Sequence, residues 1–343
     1  MGPRPGRNRT RTQEELNGSD ERRPCKLVVT GAAGQFGMLV IQRLVDEPWV
    51  EEIVALDLRP CGIAHPKIQG VVGDVQDPEI GRWFEGRDTL IHLAFAIHRF
   101  KPRSLFDAIN VGGSKNVFDA ALAADMDQIV YASSVAAYGV VHGHPQPIPE
   151  DTPRVYQEEF AYARAKFEVE AILDELEGRH PSLVVTRLRP VVMVGAHMGS
   201  LMGNTLRRRR IPSTGDVPYP VVWDEDVADA VALVVEQRAG GAFNLCARDV
   251  LTARELARRV GMKTLVFPRW LGLLGAHLSN LGAKVGLSAM VDPAWIRTSD
   301  VPMVLDAEKA RRELAWRPRC DTAVDVMRHF LETVPETPEP RSH

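Results

Sequence analysis

The sequence predicts an α/β fold in which a doubly wound parallel sheet is followed by a smaller C-terminal domain. Two observations support this prediction. Short apolar runs alternate with segments of helical periodicity, and a glycine-rich turn follows the first run. The apolar runs are continuous, as expected for parallel strands that are covered by helices on both faces. Beyond residue 190 the pattern becomes irregular, which marks the start of the second domain.

The predicted elements follow one another in order along the first half of the chain. The predicted strands are residues 25–30, 53–57, 70–74, 89–94, 128–133 and 183–188. The predicted helices are residues 36–45, 105–124 and 160–176. The predicted organisation is a disordered tail at 1–24, a sheet domain at 25–188, a mainly substrate-binding domain at 189–334 and a tail at 335–343.

Composition limits the classes of partner and location. The formal net charge of −3 at pH 7 provides no overall field that favours nucleic acid. The four cysteines lack the spacing of zinc ligands, so we expect no metal site and a reducing, cytoplasmic location. No apolar run has the length of a transmembrane segment. The apolar residues 265–290 are predicted to form core or substrate-pocket helices, with membrane contact as the alternative.

The turn after the first predicted strand carries Gly31, Gly34 and Gly37 at GxxGxxG spacing. Glycines allow a tight turn and let a phosphate pair approach the amides at the start of the next helix. Asp57 ends the second predicted strand, and a carboxylate there can accept both ribose hydroxyls of NAD and repel the 2′-phosphate of NADP. The pattern therefore predicts an NAD-binding Rossmann fold, although the nearby Arg59 keeps NADP open as the less favoured cofactor.

Both carboxylates near the predicted nucleotide site also have a simpler interpretation. The simpler interpretation of Asp57 is a strand-end turn residue that binds no cofactor. Asp74 follows the third predicted strand, where it can accept a hydrogen bond from the adenine amine or serve only as a turn former. The sequence leaves these alternatives open.

Tyr162 and Lys166 carry the predicted chemistry. They are four residues apart on a predicted helix, so their side chains share one face. A phenol has a pKa near 10, and we expect the neighbouring ammonium to lower it toward the working range of an acid/base. Ser133 and Ser134 end the fifth predicted strand, where a hydroxyl can hydrogen-bond the substrate oxygen. The alternative is that Tyr162 and Lys166 lie on a solvated helix face and have no catalytic role.

With these motifs in order, the chain resembles the extended short-chain dehydrogenase/reductase (NAD-dependent epimerase/dehydratase) family. The matching segments are residues 30–37, 73–77, 92–94, 110–113, 132–139, 162–166 and 188–190. The resemblance implies a Rossmann core, a C-terminal substrate domain and a homodimer joined through the helices after the fourth and fifth strands. It also implies that Ser134, rather than Ser133, acts with Tyr162 and Lys166.

The motifs and the resemblance together predict one set of cofactor contacts. These are Gly31, Gly34, Gln35, Phe36, Gly37, Asp57, Asp74, Val75, Leu93, Ala94, Tyr162, Lys166 and Pro190.

Two departures from the family pattern narrow the chemistry. Sugar-nucleotide dehydratases of this family carry Asp-Glu after the site serine or threonine, where this chain has Val135 and Ala136, so a 4,6-dehydratase is not expected. Epimerases usually place an asparagine that binds the diphosphate shortly after the position of Pro190, where this chain has the apolar residues 191–194.

We therefore predict an NAD(P)-dependent oxidoreductase that transfers a hydride at a secondary alcohol or ketone carbon of a small molecule. The first alternative is a nucleotide-sugar epimerase with tightly bound NAD. The second is a non-catalytic NAD-binding regulator.

Overall fold

A seven-stranded parallel sheet lies at the centre of the computed structural model, which describes residues 24–97, 103–198, 201–283 and 292–336. Its strands, in chain order, are β1 Cys25–Thr30, β2 Val50–Asp57, β3 Ile68–Val72, β4 Thr89–His92, β5 Gln128–Ala132, β6 Val184–Pro190 and β10 Gly241–Leu245. The spatial order is β10-β6-β5-β4-β1-β2-β3, and every neighbouring pair is parallel. The predicted doubly wound sheet is confirmed. The direction in which successive strands are added across the sheet reverses between β1 and β4.

The remaining elements flank this sheet or follow it. Four further strands form two small two-stranded sheets: β7 Val192–Val194, β8 Arg210–Ser213, β9 Val221–Trp223 and β11 Lys263–Val266. The helices are α1 Gln35–Val45, α2 Arg103–Asp107, α3 Gly113–Ala123, α4 Ala161–Arg179, α5 Leu201–Arg207, α6 Asp224–Gln237, α7 Ala253–Val260, α8 Arg269–Ala283, α9 Ala294–Arg297, α10 Glu308–Glu313 and α11 Ala323–Thr333. A π-helical turn at Ala108–Gly112 and 3-10 turns at Ile80–Trp83 and Val135–Tyr138 complete the order.

Each face of the central sheet has its own core. Side chains alternate between the two faces of a strand, so Leu27 and Val29 of β1 pack with α1 and α6. Val28 points to the other face and packs with α3 and α4. A third core joins α7, α11, β8 and β9 away from the sheet, with Trp223 and Phe330 fully buried there. Helices on both faces explain why the strands are continuous apolar runs.

The sheet domain extends beyond the predicted boundary at residue 188. Strand β10 pairs with β6 at the edge of the sheet, and α6 packs on α1, so residues 224–245 belong to the sheet layer. The signal was weak because β10 has the sequence GAFNL, with no β-branched residue. Of the remaining part of 189–334, β8, β9, α7 and α11 surround the third core, whereas residues 303–316 pack into the core on the α1 side of the sheet. The substrate-binding role of this part stays a prediction.

Residues 265–283 correct another expectation from the sequence. This segment forms β11 and α8, and five large apolar side chains of α8 are exposed, so the prediction of core helices is wrong for them. The last part of the predicted segment, 284–290, lies outside the described residues, as do 1–23 and 337–343 of the predicted tails. None of the helices in the described ranges combines the length and apolarity needed to cross a membrane.

Candidate functional site

The glycine turn brings β1, α1 and the end of β4 into close contact. Gly31 has φ +75°, and a Cβ there would lie 2.6 Å from the amide nitrogen of Ala94. A Cβ on Gly37 would lie 2.1 Å from the carbonyl oxygen of Gly31. Helix α1 begins at Gln35 with Gly34 as its N-cap, and glycine has no side chain to cover the first amides. The glycine turn, called the cradle below, thus leaves the first amides of α1 without a side-chain cap at the carboxyl edge of the sheet.

Asp57 and Arg59 lie directly against this cradle. The Asp57 carboxylate accepts hydrogen bonds from the amides of Ala33 (3.0 Å) and Arg59 (3.1 Å). The Arg59 guanidinium donates to the Ala33 carbonyl at 3.2 Å. A carboxylate that can accept ribose hydroxyls and a cation that can accept a 2′-phosphate therefore stand side by side. The geometry leaves the choice between NAD and NADP to these two side chains.

The other predicted cofactor residues occupy the same edge of the sheet or its flanks. Leu93 and Ala94 follow β4 and form the wall that contacts Gly31, while Pro190 ends β6. Asp74 accepts a hydrogen bond from the Gln76 amide at 2.9 Å, so it does form the turn that was the simpler interpretation.

Three more of the predicted contacts are tied to neighbouring elements. The Val75 side chain packs where a Cβ on Gly113 would lie 2.7 Å from it. Gln35 donates to the carbonyl of His197, and Phe36 packs against the core. Gln35 therefore connects the cradle to the chain beyond the sheet.

Ser134, Tyr162 and Lys166 converge at the end of β5. Ser134 begins the 3-10 turn after β5, where its hydroxyl accepts from the Ala136 amide at 3.2 Å, and its side chain lies next to that of Tyr162 near the start of α4. The Lys166 ammonium lies 5.8 Å from the centroid of the Tyr162 ring. The spacing of four residues on one helix, together with the strand-end serine, thus assembles the three predicted side chains in one place.

The Lys166 ammonium is held by β5 and by aromatic rings. It donates to the Ala132 carbonyl at 2.6 Å and to the Tyr131 hydroxyl at 3.1 Å, and it lies 3.7 Å from the centroid of Phe95. Burial lowers the pKa of Lys166 from 10.5 to about 7, against the opposing charge of Glu170. The lysine therefore titrates near neutral pH, whereas an exposed lysine remains charged there.

The direction of the Tyr162 shift differs from the expectation. Burial raises the pKa of Tyr162, and the neighbouring Ser134 hydroxyl opposes that shift. The predicted lowering by Lys166 is therefore wrong for this structure. The physical reason is that desolvation disfavours the phenolate, while the ammonium is bound to β5 and is itself only partly charged near pH 7.

An aromatic wall around Tyr162 was not predicted. Phe95, Phe160 and Trp295 have ring centroids 5.5, 6.3 and 5.2 Å from that of Tyr162. Phe95 directly follows Leu93 and Ala94, which are predicted cofactor contacts, so its position had some sequence signal. Trp295 had none, because α9 reaches the site from the far end of the chain.

A buried ion network behind the site was also missed. Glu170, one turn after Lys166, is fully buried and accepts from Arg189 at 2.6 Å and from Arg154 at 3.0 Å. The hydroxyl of Ser133 donates to the same carboxylate at 2.5 Å. These bonds lower the pKa of Glu170 despite its burial, and they tie α4 to β6 and to the residue before Ser134. The spacing from Lys166 to Glu170 on one helix was the available signal.

Comparison with known proteins shows which family and which relatives this chain is similar to. A model of the NAD dependent epimerase/dehydratase family matches residues 27–246. The 3 beta-hydroxysteroid dehydrogenase type 7 of Mus musculus is 27% identical over 340 residues, which cover 85% of this chain and 90% of that protein. The N-acetyl-alpha-D-glucosaminyl-diphospho-ditrans,octacis-undecaprenol 4-epimerase of Escherichia coli O157:H7 is 30% identical over 276 residues, which cover 76% of this chain and 80% of that protein.

A solved structure shows the same fold. The UDP-glucose 4-epimerase from Bifidobacterium longum, in complex with NAD+ and UDP, superposes with a TM-score of 0.65 at 18% identity, covering 88% of this chain and 97% of that one. The likeness at this identity concerns the fold. From the family match over the sheet domain, the chain belongs to the NAD dependent epimerase/dehydratase family.

Proposed function

We propose that the protein is an NAD(P)-dependent oxidoreductase that transfers a hydride at a secondary alcohol or ketone carbon, with Tyr162 as the acid/base. One observation carries the proposal: the side chains of Ser134, Tyr162 and Lys166 lie together at the carboxyl edge of the sheet. A hydroxyl and a phenol that lie side by side can both reach one substrate oxygen.

The residues at the glycine turn fit a dinucleotide. The cradle at Gly31 and Gly37 has no room for a Cβ, the first amides of α1 are uncapped by a side chain, and Asp57 offers a carboxylate beside them. These groups would hold the pyrophosphate and the adenosine ribose. When bound, NAD would take or give the hydride at its nicotinamide ring. NAD remains the favoured cofactor, and Arg59 is the residue that would admit NADP.

Each of the three polar side chains has a distinct role in this proposal. Tyr162 exchanges a proton with the substrate oxygen, and Ser134 hydrogen-bonds that oxygen as its charge changes. Burial raises the pKa of the phenol, which favours the protonated form that donates to a ketone oxygen. Lys166 would hold the ribose next to the reacting ring.

The substrate class that fits best is an apolar secondary alcohol or its ketone. The wall of Phe95, Phe160 and Trp295 around Tyr162 offers ring surfaces. The steroid dehydrogenase relative from mouse supports this choice, because its name specifies a hydrophobic ring substrate.

An epimerase with tightly bound NAD is the alternative, and the relative from Escherichia coli favours it. We infer that a 4,6-dehydratase is not the activity, because Val135 and Ala136 form the turn after Ser134 and neither side chain can donate or accept a proton for elimination. The two remaining reactions differ in whether reduced cofactor accumulates.

Native mass spectrometry of the purified protein, followed by an absorbance assay for NADH, tests the proposal. We expect one dinucleotide per chain and a steady accumulation of NADH with hydroxysteroid-like alcohols, and the same spectra report whether the chain is a dimer. Tightly bound nucleotide with sugar-nucleotide turnover and no net NADH would assign the epimerase reaction instead. Failure to bind either dinucleotide would overturn both.

A further inference from the structure

Helix α8 carries an apolar stripe that faces solvent. Five side chains form the stripe and are 46–65% exposed: Trp270, Leu271, Leu274, Leu278 and Leu281. Since successive residues of an α-helix are about 100° apart, all five fall within an arc of about 100°. The side of α8 turned toward the protein holds the buried Ala276 instead. The helix therefore presents its largest apolar side chains outward, the reverse of an ordinary surface helix.

The charges that flank this stripe along the chain all have one sign. Residues 256–291 contain five lysines and arginines and no aspartate or glutamate, in a chain whose net charge is −3. Arg258, Arg259 and Lys263 are exposed on α7 and at the start of β11. Arg269, the first residue of α8, pairs with Asp300. An apolar stripe with tryptophan at one end and basic neighbours is the pattern of a helix lying in the headgroup region of an anionic bilayer.

The stripe is also connected to the reaction site through α9. Helix α8 packs on α9, where a Cβ on Gly272 would lie 3.1 Å from the Ile296 side chain, and Arg269 donates to the Arg297 carbonyl. The neighbouring Trp295 of α9 contacts Tyr162, with ring centroids 5.2 Å apart. A surface that held α8 would thus lie one short helix away from the proposed acid/base.

We propose that the α8 stripe docks the protein onto the surface of an anionic lipid bilayer, with the helix lying in the plane of the interface. Burying the exposed leucines supplies the apolar part of the binding, and the exposed basic residues that precede the helix supply attraction to anionic headgroups. Docking in this orientation brings the aromatic wall at Tyr162 close to the membrane surface.

Co-sedimentation of the full chain with lipid vesicles tests this surface without any substrate or cofactor. One set of vesicles is phosphatidylcholine alone, and the other is equal parts phosphatidylcholine and phosphatidylglycerol. We expect the protein to bind the anionic vesicles at least about tenfold more tightly than pure phosphatidylcholine vesicles. We also expect binding to the anionic vesicles to weaken as salt is raised. No binding to the anionic vesicles would overturn the proposal.

The matched variants are Leu274→Ser with Leu278→Ser, and Val250→Ser as a control at an exposed apolar residue outside α8. We expect the double variant to lose at least about tenfold in vesicle affinity, while the control binds as the parent does, with unchanged unfolding midpoints in both. Equal binding by the double variant would refute a role for the stripe. If the parent is a dimer in light scattering, binds no vesicles, and the double variant is a monomer, the stripe contacts a second copy and the proposal is wrong.

Discussion

Lys166→Met is expected to stabilise the fold most at low pH, because the wild-type ammonium is buried. Folding lowers the pKa of Lys166 from 10.5 to about 7. A group that loses its proton on folding opposes folding fully below the lower pKa, and this opposition fades as pH rises toward the upper one. The cost to the wild type is about 5 kcal/mol near pH 6 and about 2 kcal/mol near pH 9.

The methionine also removes the hydrogen bonds to Ala132 and Tyr131, a loss of about 1–3 kcal/mol that does not depend on pH. We therefore expect the variant to exceed the wild type in unfolding free energy by about 2–4 kcal/mol near pH 6. Near pH 9 the advantage falls to about zero. The change in this advantage between the two pH values, about 3 kcal/mol, does not depend on the lost hydrogen bonds.

Urea unfolding followed by circular dichroism, at both pH values, measures this difference. Lys115→Met on α3 is the matched control, since the Lys115 side chain is 60% exposed and pairs with Asp119 one turn away. The control should track the wild type at both pH values. Parallel pH dependence of the wild type and Lys166→Met would refute the claim that a lysine near neutral pKa is buried at this site.

Two further substitutions test the cradle and the network behind the site. Gly37→Ala should weaken dinucleotide binding at least about tenfold and lower the unfolding free energy by about 1–3 kcal/mol, because its Cβ would meet the Gly31 carbonyl. Gly178→Ala on the open face of α4 should instead raise the unfolding free energy by up to about 1 kcal/mol. Titration calorimetry measures the dinucleotide affinity of each variant, and scanning calorimetry measures its stability. Glu170→Gln should cost about 3–5 kcal/mol in urea unfolding, because Arg189 would keep a buried charge without its partner. A loss below about 1 kcal/mol would show that the network is not structural.

Much of the sheet could be predicted because its signals are local. A run such as β1, with Leu27, Val28 and Val29 in sequence, has apolar side chains for both faces and is recognisable without any tertiary information. The spacing of Tyr162 and Lys166 likewise fixes their common helix face. Strand β10 escaped the same reasoning, since its identity depends on pairing with β6 rather than on its own residues.

The features that sequence reasoning missed depend on contacts between distant parts of the chain. Trp295 reaches Tyr162 through the packing of α9, which no pattern near either residue predicts. The direction of the Tyr162 shift depends on how deeply the phenol is buried, a quantity that spacing alone does not give. The apolar α8 was expected in a core because hydrophobicity predicts burial without naming what covers the helix.

The account rests on Tyr162 exchanging the substrate proton, and stopped-flow measurement of NADH formation by Tyr162→Phe tests this most directly. The variant keeps the ring between Phe95 and Trp295 and removes only the hydroxyl next to Ser134. We expect NAD affinity to be unchanged and the rate of hydride transfer to fall by about 10²–10⁴-fold. NADH formation at the wild-type rate would contradict the assignment.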